Sequence, residues 1–122
     1  MAHPFLERLA RGPLLADGAM GTLLHARGVS FEHGFDELNT SHREMVVQVH
    51  QDYIASGAEL IETNTFGANR IKLAHHGLEE RVRDLNRAGA RAAREAREVS
   101  GKNIFIGGSL GPHRKAPRTL GQ

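Results

Sequence analysis

The chain has 122 residues, 39% of them hydrophobic and 25% charged, with 16 Lys+Arg against 14 Asp+Glu for a net charge of +2. That is the size of one ordinary domain, and the balance excludes a wholly disordered or collagen-like chain. No apolar run approaches the roughly 20 residues of a membrane helix, the first residues lack the apolar core of a secretory signal, and the absence of cysteine excludes disulfides and any thiolate zinc site made by this chain alone.

A short helix is predicted from His3 to Leu9, within a lead-in over residues 1–12, with the body of the domain at 13–122. Pro13-Leu14-Leu15-Ala16 is too short for a helix and reads as a buried strand, stopped by the turn pair Asp17-Gly18. Met20 to Ala26 is predicted helical, ended by Gly28. Residues 29–41 read as irregular, with turn and cap chemistry at Gly34, Asn39, Thr40 and Ser41. Ser41 and Glu44 have the S-x-x-E spacing of a capping box. In the helix behind it, Met45, Val46, Val49, Tyr53 and Ile54 make one buried stripe, and Ser56-Gly57 is a stop signal.

Ala58 to Thr63 is the second predicted strand. Gly67-Ala68 opens a short helix through His75, stopped by Gly77. Residues 78–99 form the longest helix, with Leu78, Val82, Leu85, Gly89, Ala92, Ala93, Ala96 and Val99 on one face. Those small residues predict close packing on a flat neighbour such as a sheet. The other face sets Arg81, Arg83, Arg87, Arg91, Arg94 and Arg97 among Glu79, Glu80, Asp84, Glu95 and Glu98, which reads as a solvated surface of i,i+4 pairs. Aromatic residues make up 5% and none interleaves with that basic run, so a nucleic-acid stacking surface is not supported. Asn103 to Ile106 is the third strand. The basic cluster Arg114-Lys115 with Arg118 reads as a solvated loop.

Strands alternating with helices imply an α/β fold with parallel pairing. Ligands in such folds sit at the carboxyl ends of the strands. All three predicted strands end in polar or glycine-rich loops there: 17–22, 63–67 and 107–112. An eight-stranded barrel takes about 250 residues, and three parallel strands leave two open edges. The sequence therefore reads as the opening part of something larger.

Gly18 and Gly21 do not have the G-x-G-x-x-G spacing, and no Gly-Lys-Ser/Thr follows, so a nucleotide loop is weak. Gly18 permits close backbone approach to a ligand, and Asp17 suits an ammonium; together they fit an amino-acid zwitterion, while the plainer reading is a turn after a strand. Thr63 and Thr65 share one side of an extended segment, and Phe66 suits an apolar wall. The plainer reading there is capping of the next helix by Asn64 or Thr65. The chain's 8 histidines form no H-E-x-x-H, and His75-His76 sit at a helix C-terminus, so no metal site is assigned from them. No catalytic residue is assigned either.

Taken together, Leu15-Ala16-Asp17-Gly18-Ala19-Met20-Gly21-Thr22-Leu23-Leu24, Phe35-Asp36-Glu37-Leu38-Asn39, the run from Gly57 to Asn69 with Glu62-Thr63-Asn64-Thr65-Phe66-Gly67, and Gly108-Ser109-Leu110-Gly111-Pro112 resemble the homocysteine S-methyltransferase domain. That domain occurs in cobalamin-dependent methionine synthase, in betaine–homocysteine methyltransferase, and in bacterial proteins that fuse it to a methylenetetrahydrofolate reductase. The resemblance is nearest to the last group and runs from about Leu14 to the C-terminus.

The resemblance implies a TIM barrel, of which these residues match the first three βα units, and methyl transfer to homocysteine to give methionine in the cytoplasm. It implies a zinc ion held by three cysteine thiolates, which removes the proton from the homocysteine thiol. It places Asp17 and Gly18 at the amino-acid end of homocysteine and Thr63 and Phe66 in the pocket lining; Glu62, Asn64 and the 108–112 loop fall in family motifs without an assigned role. The family's zinc cysteines belong to later strands, so the chain is expected to supply part of a homocysteine cradle and to be inactive alone, with an unassigned methyl donor. Two rivals are a non-catalytic fragment that associates through its open sheet edges, with itself or with the rest of the barrel, and an unrelated α/β phosphate-binding module.

Overall fold

The computed structural model describes residues 3–112. His113 and the cluster Arg114, Lys115 and Arg118 lie outside the described residues.

Helix α1 runs from Pro4 to Leu9, and the His3 side chain caps it by accepting from the Phe5 N–H at 3.2 Å. Proline suits its first turn, where a missing N–H costs nothing. Arg8 then reaches from α1 to Glu59 at 2.8 Å and 2.9 Å, tying the lead-in to the segment before the second strand. Helix α2 spans Gly21–Ala26.

The first expected strand contracts to a single parallel bridge between Ala16 and Leu60. Pro13 has no N–H to give to a ladder, but the pairing direction survives: Glu59 N–H donates to the Leu15 carbonyl at 2.8 Å and Asp17 N–H to the Leu60 carbonyl at 2.9 Å. The other two strands are shorter than expected, β1 at Leu60–Glu62 and β2 at Phe105–Gly107. They pair in parallel, Leu60 with Phe105, Ile61 with Ile106 and Glu62 with Gly107. The spatial order is thus the 15–17 segment, β1, β2, as alternating strands and helices imply.

Residues 29–41 are more regular than expected. A 3-10 turn at Phe35–Glu37 leads into α3, Leu38–Ser41. The Ser41–Glu44 capping box does not form. Ser41 is already the last residue of α3, and its hydroxyl donates back to Glu37 Oε1 at 2.7 Å. Helix α4, Arg43–Ala55, starts behind His42 without a side-chain cap.

Helix α5 is Arg70–Ala74, capped by Asn69, whose side chain accepts from Lys72 N–H at 2.9 Å. Neither Asn64 nor Thr65 is the cap. A 3-10 turn at Glu79–Arg81 precedes α6, Val82–Ser100. Gly101 ends it with φ 68°, the left-handed conformation that glycine adopts without strain.

The core lies between the sheet and the helices. Ile61 points into it and is joined by Val46, Val49 and Ile54 of α4 and Ala92, Ala93 and Ala96 of α6. The small face of α6 meets α4 and the loop after β1. At Gly89 a Cβ would lie 2.6 Å from Thr65 Cγ2 and 2.9 Å from Asn39 Nδ2, so only glycine fits. Val99 falls outside that face and is 68% exposed. Among the described residues no i,i+4 ion pair forms along α6; Glu95 pairs instead with Arg43 of α4, and Arg81, in the turn before α6, with Glu37.

Candidate functional site

The loops leaving the three parallel segments are joined by hydrogen bonds at one rim. Asp17 Oδ2 accepts from the Glu62 N–H at 2.9 Å. The Thr63 and Thr65 hydroxyls lie 2.7 Å apart, on one side of the chain as their spacing predicts. They then clamp the third loop: Ser109 N–H donates to Thr63 Oγ1 at 3.0 Å, and Thr65 Oγ1 donates to the Ser109 carbonyl at 2.8 Å. Asn69 adds a bond to the Pro112 carbonyl at 2.7 Å. Strand β1 is the centre of this arrangement because it pairs on both sides.

Over the rim lies a cavity of about 480 Å³, within the range of small-molecule sites. Asp17, Gly18, Thr63 and Phe66, the four residues expected to bind substrate, all line it. Asp17 is half-buried, and its Oδ1 has no hydrogen-bond partner among the described residues. Burial raises its carboxyl pKa; the bond from the Glu62 backbone opposes this, and the Glu62 charge adds to it. A carboxylate so placed gains most from a cationic partner. Thr63 is buried, and its hydroxyl is engaged in the rim, so its contribution is to shape the pocket. Phe66 stands out at 60% exposure and offers an apolar wall.

The second layer of the site carried little individual signal. Asn39 and Asn64 are both buried and hold each other: the Asn64 amide donates to Asn39 Oδ1 at 3.0 Å and to the Phe35 carbonyl at 3.0 Å. Asn39 in turn donates to the Asn64 carbonyl at 2.8 Å and the Leu85 carbonyl at 3.1 Å. Asp36 lines the cavity, and its Oδ1 accepts from the Gly67 N–H at 3.2 Å. Burial raises its pKa, against the pull of backbone bonds and of His76. A Cβ at Gly67 would sit 2.6 Å from Asp36 Oδ2 and would displace that carboxylate. The Phe35–Asn39 run was recognisable only as a family motif, without roles for its residues.

His33, His75 and His76 also line the cavity. Among the described residues, no group of three His, Asp or Glu side chains could hold a metal ion. The three-thiolate zinc set is therefore not built from the residues of this chain, which contains no cysteine. No described helix is long and apolar enough to cross a membrane.

The homocysteine S-methyltransferase family matches residues 14–119. Methionine synthase from Mycobacterium tuberculosis is 34% identical over 95% of this chain, and that from Mycobacterium leprae is 34% identical over the same share. The chain spans 10% of the length of each of these relatives. The homocysteine methyltransferase MmuM from Escherichia coli, solved in a metallated form, superposes with a TM-score of 0.77 and 29% identity over 90% of this chain and 42% of that one. Its oxidised form gives 0.77 and 30% over 91% and 41%. Likeness at this level of both sequence and geometry, with all three rim loops inside the matched span, excludes an unrelated phosphate-binding module, and the chain belongs to the homocysteine S-methyltransferase family.

Proposed function

We propose that this chain forms the homocysteine-binding arc of a homocysteine S-methyltransferase, equivalent to the first three βα units of a TIM barrel. The observation that carries this is the convergence of Asp17, Gly18, Thr63 and Phe66 on one cavity, at the strand ends where such folds bind ligands. In this reading the Asp17 carboxylate, whose shielded Oδ1 has no partner among the described residues, takes the substrate ammonium, Gly18 lets the ligand approach the backbone, and Phe66 covers its methylenes. Sulfur activation and the methyl donor belong to residues other than these 122, because the donor set for the family's zinc is lacking here. The chain alone binds and does not turn over.

Calorimetry with L-homocysteine and the 122-residue chain tests this. Binding is expected, and Asp17→Asn is expected to weaken it about tenfold or more, the scale of one charge-assisted hydrogen bond. Equal affinity in the variant refutes the role of Asp17. Appreciable methionine formation by the chain with added zinc and a methyl donor refutes the separation of binding from chemistry.

A second reading, association, is favoured by one feature. Beside β2, a cavity of about 440 Å³ is lined by Phe5, Leu60, Phe105 and Ile106. It lies over the sheet face opposite the core, next to the free edge of β2, where further strands or another copy would continue the pairing.

A further inference from the structure

By spacing, Tyr53 is one more member of the apolar stripe of α4. Its hydroxyl, however, donates to the Ala19 carbonyl at 2.6 Å, across 34 positions of chain. Its ring also closes on Gly18, where a Cβ would lie 3.1 Å from Tyr53 Oη and 3.5 Å from Cε1. Tyrosine at 53 and glycine at 18 are thus a matched pair: the ring occupies the space a side chain would need. Burial raises the phenol pKa and the Asp17 charge raises it further, so the group remains a donor at neutral pH.

The 17–19 turn is therefore pinned twice. Asp17 Oδ2 is held by the Glu62 N–H, and Ala19 is held by Tyr53. Neither bond uses Asp17 Oδ1, which is left without a partner among the described residues. We propose that Tyr53 is a positioning residue of the substrate pocket: by bonding Ala19 and packing on Gly18, it fixes the turn in the conformation that presents Asp17 to a ligand ammonium. This rests on the homocysteine reading above.

The test uses the full chain and Tyr53→Phe, with Gly18→Ala as a second variant that keeps the hydroxyl but crowds the ring. In both, amide hydrogen exchange at residues 18–20 is expected to rise about tenfold, the equivalent of one lost hydrogen bond, while α6 is unchanged. Binding is compared for L-homocysteine and its desamino analogue, γ-mercaptobutyrate. The parent chain is expected to prefer homocysteine about tenfold or more. Tyr53→Phe is expected to shrink that preference towards one by weakening homocysteine alone. Unchanged exchange at 18–20, or equal weakening of both ligands, overturns the proposal. A parent chain without preference overturns the ammonium reading of the pocket, a result separate from the exchange change that judges Tyr53.

Discussion

His50 sits on α4 with no exposed surface, and neither ring nitrogen has a hydrogen-bond partner among the described residues. Burial lowers its pKa from 6.5 to about 4. An unfolded chain therefore takes up this proton first as the pH falls. Stability is full above about pH 6.5, declines between 6.5 and 4, and loses about 3 kcal/mol over that window from this residue. Asp17 and Asp36 act in the opposite sense, because burial raises their pKa: the stability they contribute is present below the ordinary carboxylate range and lost as pH rises through their raised values. Urea midpoints at pH 7.5 and pH 5 are expected to converge in His50→Leu and to differ clearly in the parent; an unchanged difference would remove His50 as the cause. In the sequence His50 is only one of 8 histidines without a metal motif, and nothing at its position distinguishes a buried ring from a solvated one. Asp17 reads from sequence as a turn after a strand, and only the family resemblance marks it out; the fold adds that it lines the cavity.

Among the elements, α6 shows how far pattern reading reaches. Its stripe of small residues and its end close to residue 99 are legible, because the stripe follows from helix geometry and Gly101 is a helix stop. What the stripe packs against was not: α4 and the loop after β1 meet it, and Gly89 is the point of closest approach. Gly89→Ala gains helix propensity of about 1 kcal/mol but must push aside Thr65 and Asn39, a strain of about 1–3 kcal/mol. A net loss in melting temperature is expected, against no more than about 0.5 kcal/mol for the exposed Arg87→Ala on the same helix. Because Thr65 belongs to the rim, the Gly89 variant should also weaken homocysteine binding. The capping box failed for a local reason. Ser41 has Glu37 one turn behind it, and that carboxylate offers a better acceptor than the start of α4 does a donor. Strand lengths were overestimated because apolar runs continue past the residues that find partners.

The whole molecule is a sheet covered by helices on one side and less completely on the other. Leu60 and Phe105 are paired neighbours across β1 and β2, and with Phe5 they border the cavity on the open side. Phe5 packs edge-on against Phe105 with ring centroids 5.3 Å apart, so α1 shields part of this surface. Light scattering is expected to give a mass that rises with concentration, and Phe105→Glu is expected to suppress the rise. A mass fixed at 13.4 kDa at all concentrations would refute association. The common rim was legible at this scale, since parallel strands must end on the same side. The ties that shape it were not. Tyr53 to Ala19, Asp36 to Gly67 and Asn39 to Asn64 each join residues far apart in the chain, and only the finished fold brings them together.

Ser109 joins that rim from the third loop, and both of its backbone bonds go to threonines 44 and 46 positions earlier in the chain. A nascent polypeptide that has not yet exposed Ser109 leaves the outer bonds of Thr63 and Thr65 unmade. The rim above the cavity is thus closed only when the third loop docks; without it, the hydroxyls of Thr63 and Thr65 keep only each other as partners.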